Sequence, residues 1–68
     1  MAVSVRAVGA AVARNRVRRL IRESFRLQRQ ELPPVDIFVV ARNGAKNASN
    51  AQIFASLARL WQEIRSAG

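Results

Sequence analysis

A small α/β domain with elements in the order strand, helix, strand, helix is what these 68 residues predict. Three observations carry that prediction. Apolar residues from Ala10 to Leu27 recur at helical spacing against a side rich in arginine. Asp36 to Ala41 (DIFVVA) is a short continuous apolar run bounded by prolines and a loop. From Ile53 to Ile64 the apolar residues fall again on one helix face. A chain of this length makes one domain, residues 1–68, and it buries only about 60% of the surface its unfolded form exposes.

Ala2 to Val5 opens the chain as a short strand, with two β-branched valines alternating with small residues. Arg6, Ala7, Val8 and Gly9 form a turn. Gly9 reads as a plain turn glycine or the boundary of the next helix, or as a place where a phosphate could approach the backbone.

The first helix is expected over residues 10–30. Ala10, Ala13, Val17, Leu20, Ile21, Ser24, Phe25 and Leu27 share one arc, while Arg14, Arg18, Arg22, Arg26 and Arg29 wind along the other side beside Asn15 and Arg19. Arginines four apart on a helix repel by a few tenths of a kcal/mol per pair. Glu23 alone relieves them, in an expected ion pair with Arg19 or Arg26, so this surface invites an anion from outside the chain. Pro33 and Pro34 stop the helix.

The run 36–41 is expected as a strand buried on both faces. Arg42 to Asn47 follows as a loop turning at Asn43-Gly44, either simply solvated or in contact with phosphate. Ser49 is the expected N-cap of a helix reaching about Arg65, without an acidic residue to complete a capping box. Ile53, Phe54, Leu57, Leu60, Trp61 and Ile64 form its apolar face. Trp61 is expected in the core, base stacking being the alternative. Arg59 and Arg65 suit the helix dipole.

Composition narrows the function. Twelve Lys+Arg against four Asp+Glu give a formal charge of +8, which points to nucleic acid or, less directly, an anionic membrane surface. Eleven of the twelve cations are arginine, seven of them between Arg14 and Arg29, and arginine favours bidentate phosphate contacts. With neither cysteine nor histidine, the usual zinc sites and the usual general base are missing. Glu23, Glu31, Asp36 and Glu63 show no pairing for acid–base work, and the serines have no base. The polypeptide itself carries no catalytic residues. No apolar run approaches the roughly 20 residues of a membrane span, and Arg6 argues against a signal peptide, so a cytoplasmic location is expected.

Val8 to Arg26 (VGAAVARNRVRRLIRESFR) closely resembles the signature of the bacterial ribonuclease P protein component. The hallmark is an Arg-Asn-Arg triplet, an apolar residue, two basic residues, two apolar residues, then Arg-Glu. Residues 36–42 resemble the strand that follows in that family, and Ser49 to Ile64 its closing helix. This resemblance implies a sandwich of helices on a mixed sheet, with the arginine helix inside an unusual left-handed β-α-β crossover. It also implies an RNA-binding subunit that assists a catalytic RNA in removing the 5′ leader from precursor tRNA, with Mg²⁺ held in the RNA complex. Carried over by motif, the RNA-contacting set is Arg14, Asn15, Arg16, Arg18, Arg19 and Arg22, with Arg26 beyond it on the same face.

Against the family pattern the sequence starts at the third strand, without a helix and two strands. That leaves strand edges and helix surface open, and a homodimer or higher oligomer is expected to complete the partial sandwich. Three further readings stand beside this one: a less specific RNA-binding or chaperone module, a membrane-active amphipathic peptide centred on residues 10–29, and an engineered fragment whose oligomeric fold is its purpose.

Overall fold

The computed structural model describes residues 1–34 and 36–67. Gly68, at the end of the expected domain, lies outside the described residues. Strand β1 spans Ala2–Ser4, helix α1 Ala11–Gln28, strand β2 Phe38–Val40 and helix α2 Asn50–Ala67. Short 3₁₀ turns at Arg29–Glu31 and Asn43–Asn47 precede β2 and α2 respectively. The predicted order of strand, helix, strand and helix is present.

β1 and β2 pair in parallel, with Ala2 opposite Phe38, Val3 opposite Val39 and Ser4 opposite Val40. Parallel neighbours need a long crossover, which α1 supplies. The pairing extends past the strand ends: Ala2 N–H donates to the Ile37 carbonyl at 2.9 Å, and Ala41 N–H to the Ser4 carbonyl at 2.9 Å.

The core lies between the two helices and the inner face of this ribbon. Val17, Leu20, Ile21 and Ser24 of α1 are buried, and so are Ile53, Leu57 and Trp61 of α2. Val5, Val8, Val39 and Ala41 close it from the sheet side. Steps of three and four residues put these side chains on one stripe of each helix, where burial of a large side chain contributes roughly 1.5–3 kcal/mol. Contacts along the seam join Arg16 to Asn50, Ser24 to Trp61 and Gln28 to Arg65. The two helices therefore run side by side in the same direction.

Trp61 is 1% exposed, as its place on the stripe predicts. Its indole N–H donates to Ser24 Oγ at 2.8 Å, and its ring meets Phe25 at 5.8 Å between centroids, tilted by 58°. Ser24, the one polar member of α1's apolar arc, is there to accept that bond. No buried side-chain nitrogen or oxygen lacks a partner among the described residues.

Several expectations are corrected. β2 is shorter than 36–41 and is not buried on both faces: Val39 points inward at 8% exposure, whereas Phe38 and Val40 stand outward at 66% and 57%. A two-stranded ribbon has helices on one side only, so alternate residues of an apolar run must face out. Leu27, placed on the apolar arc, is 65% exposed: it lies at the edge of the arc, while Phe25 and Gln28 of the same turn face α2. Leu60 is also exposed, at the margin of α2's stripe.

Asn43-Gly44 opens a 3₁₀ turn, and no described residue has a positive φ. Ser49 does cap α2, and the capping box is complete after all. Gln52 N–H donates to Ser49 Oγ at 3.1 Å, and Ser49 N–H donates to Gln52 Oε1 at 2.8 Å. The amide of glutamine serves this motif as a carboxylate would.

Candidate nucleic-acid interface

α1 begins after an extended Ala10 that makes no side-chain cap bond, and its first turn holds no acidic residue. Its start is fastened instead by Arg14, whose Nη1 donates to the Gly9 carbonyl at 2.6 Å and the Val8 carbonyl at 3.2 Å. Gly9 thus precedes the helix as a turn residue, and its carbonyl holds Arg14.

Along the outer side of α1, Asn15, Arg18, Arg19, Arg22, Glu23 and Arg26 line one shallow groove. The helical rise sets Arg18 and Arg22 about 6 Å apart along the axis. Arg18, Arg19 and Arg22 donate no hydrogen bond to the protein among the described residues, and Asn15 is exposed. Arg26 is taken by Glu23, Nη2 to Oε1 at 2.5 Å, the Arg26 alternative of the two expected for that carboxylate. This hydrogen bond from Arg26 holds the Glu23 carboxyl below the usual carboxylate range, and Arg26 is in turn raised above the ordinary arginine value. Both groups are exposed, so the pair adds little to stability.

Arg16 has a different task. Its Nη1 donates to Asn50 Oδ1 at 2.7 Å, and its Nη2 lies within hydrogen-bond reach of the carbonyls of Ala48, Ala45 and Lys46. The six carried-over residues and Arg26 therefore fall into two groups. Asn15, Arg18, Arg19 and Arg22 present free polar groups on one surface, whereas Arg14, Arg16 and Arg26 are bonded within the chain.

A second groove runs beside β1, lined by Val3, Ser4, Val5, Arg6, Arg14, Arg18 and Phe38. It sets an exposed aromatic ring against arginine side chains, and Arg18 is shared with the first groove. Sequence reasoning missed Phe38 and Arg6 here, since an apolar run shows no layer count and Arg6 lies outside the helix pattern. Period-two alternation from the inward Val39 would have pointed Phe38 outward.

Among the described residues no three His, Cys, Asp or Glu side chains group together as metal ligands, and no helix is long and apolar enough to cross a membrane.

A helix with free guanidinium groups, carried on a small parallel ribbon beside an aromatic groove, defines an α/β protein with an exposed basic face. Residues 1–65 match the Ribonuclease P family, and the chain belongs to it. It is similar to the ribonuclease P protein component of Chromohalobacter salexigens, 49% identical over 84% of this chain and 44% of that protein. The corresponding protein of Cronobacter sakazakii is 44% identical, and that of Pseudoalteromonas atlantica 42%, each over 91% of this chain and 52% of the relative. The chain spans about half the length of the curated relatives it matches. No solved structure gives a significant match.

Proposed function

We propose that this chain is the RNA-binding subunit of ribonuclease P, assisting a catalytic RNA in removing the 5′ leader from precursor tRNA. One observation carries the reading. The motif residues Asn15, Arg18, Arg19 and Arg22 of a Ribonuclease P family member stand on one exposed groove with no competing partner among the described residues. Guanidinium forks on a rigid helix meet phosphate oxygens bidentately, and counterion release adds affinity that falls with salt. Asn15, which both donates and accepts, suits a phosphate, a 2′-hydroxyl or a metal-bound water.

The groove beside β1 fits a single-stranded segment such as the leader, with Phe38 stacking on a base and Arg6 and Arg18 on the backbone. Chemistry on the phosphodiester belongs to the RNA and its Mg²⁺, and the protein supplies binding and orientation. That role goes with a cytoplasmic location. The outward Phe38 and Val40 and the open strand edges support association with a second copy, as a homodimer or higher oligomer. Analytical ultracentrifugation tests this part: a monomer at all concentrations overturns it.

The test of function is cleavage of precursor tRNA by a bacterial ribonuclease P RNA at low Mg²⁺, with and without this chain. Stimulation is expected. Tight RNA binding without stimulation would leave only docking, and no preference for that RNA over another structured RNA would reduce the chain to a general basic module.

A further inference from the structure

We infer that Arg16 is a positioning residue that fastens the turn at Asn43–Asn47 to α1 and so brings Lys46 into the RNA-facing surface, without itself touching RNA. The inference rests on the proposed RNA-binding reading and deepens it.

The turn is short and rests on the core only through the half-buried Ala45 and the adjoining Ala48. At its two ends the backbone is closed by Ala45 N–H donating to the Arg42 carbonyl at 3.0 Å and Ala48 N–H donating to the Ala45 carbonyl at 3.3 Å. It has no side-chain cap and no buried residue. Arg16 enters from α1, about thirty positions earlier in the chain, with both terminal nitrogens engaged. Nη2 faces the carbonyls of Ala48, Ala45 and Lys46 at 2.9, 3.3 and 3.4 Å, and Nη1 bonds Asn50 Oδ1 at 2.7 Å. A planar fork can span the end of the turn and the start of α2 at once, whereas an ammonium is a single point of donation. The guanidinium also sits where the carbonyls of the turn converge, the negative end of its peptide dipoles.

The consequence falls on Lys46. Its side chain lies over Gly9, with Cδ and Nζ at 3.3 and 3.4 Å from where a β-carbon on that glycine would stand. Lys46 thus reaches the entrance of α1, ahead of Arg14 and the free cations of the groove. Release of the turn would leave the charge on the chain but remove it from this place.

Salt dependence separates a positioning role from a contact. Each lost phosphate contact lowers the slope of log K against log salt by about 0.7–0.9. RNA binding is measured over a salt series for the unmodified chain, Arg16→Lys, Lys46→Ala and the double variant. The probes are a bacterial ribonuclease P RNA and, in parallel, an unrelated structured RNA. Arg16→Lys keeps the charge, so a direct phosphate contact would leave the slope unchanged, and that result overturns the inference. The expected result is a loss of about one contact's slope in Arg16→Lys, the same in Lys46→Ala, and no more in the double variant. Additive losses would also overturn it.

An RNA-free readout keeps the test independent of the functional reading. Amide exchange at Ala45 and Ala48 should quicken in Arg16→Lys, and less so in Asn50→Ala, while the middle of α1 and α2 stays protected. Unchanged exchange at the turn in both variants would show that Arg16 does not hold it. Should the unmodified chain fail to prefer the ribonuclease P RNA, the proposed function falls, yet the same cycle on the unrelated RNA still decides the role of Arg16.

Discussion

α1 and α2 have 18 residues each and bury matching stripes against one another, yet their outer sides differ in kind. α1 carries six arginines and one glutamate, with no capping side chain and no acid in its first turn. α2 carries two arginines and one glutamate and starts with a complete capping box. Its Arg65 is bonded to Glu31 at 2.6 Å and Gln28 at 3.0 Å. α2 has a capped start and one of its two arginines bonded within the chain, while α1 retains like charges that its own sequence does not neutralise. The inner stripes set the fold. The unsatisfied outer side of α1 is where a partner has something to gain.

The shared seam gives the largest expected effect. Trp61→Ala removes the most enclosed side chain of α2 and strips Ser24 of its donor, at a cost of roughly 3–5 kcal/mol. For a domain of this size that loss is expected to unfold most of the population. Far-UV circular dichroism with urea would show it, and a midpoint close to that of the unmodified chain would mean the seam is not the core.

The outer sides come next. Arg18→Ala or Arg22→Ala should lower the RNA-binding salt slope by about one each, with stability changed by less than about 0.5 kcal/mol. Arg59→Ala on α2 should leave the slope where it was. Equal effects from α1 and α2 would erase the distinction between them.

The smallest effect sharpens the comparison inside α1. Glu23→Gln frees Arg26 for RNA, so the slope should rise, by less than one contact. Because Arg26 holds the Glu23 carboxyl below its ordinary value, the pair gives way at a lower pH than an unpaired glutamate would protonate. With no histidine in the chain, protein-side RNA affinity should stay flat from pH 7 to pH 5 at fixed ionic strength. A rise across that interval would mean that the Glu23 carboxyl is raised rather than lowered.

Helical periodicity made the seam legible from sequence, because Val17, Leu20, Ile21, Ile53, Leu57 and Trp61 repeat at the spacing that burial requires. The motif Arg14 to Glu23 likewise made the family and the basic face legible. Phe38 and Val40 were misread because an apolar run reports affinity for a core and not how many layers cover it. The commitment of Arg16 was hidden for another reason. Its partners lie 29 to 34 residues away and three are backbone carbonyls, which no side-chain pattern reveals. The box closed by Gln52 is less legible because an amide stands at the position where an acid is the usual partner.

Trp61 is the chain's single tryptophan, sealed at 1% exposure on the side of α1 away from the basic groove. Its emission is therefore an optical gauge of the helix–helix seam. It should be blue-shifted and resist quenching by acrylamide while the domain is folded. RNA bound to the far side of α1 has no direct access to the indole, so a titration followed by this signal would be nearly silent even at saturation. Binding is better read from a dye near the basic groove, leaving the native fluorophore as an internal control that the fold survived each arginine substitution.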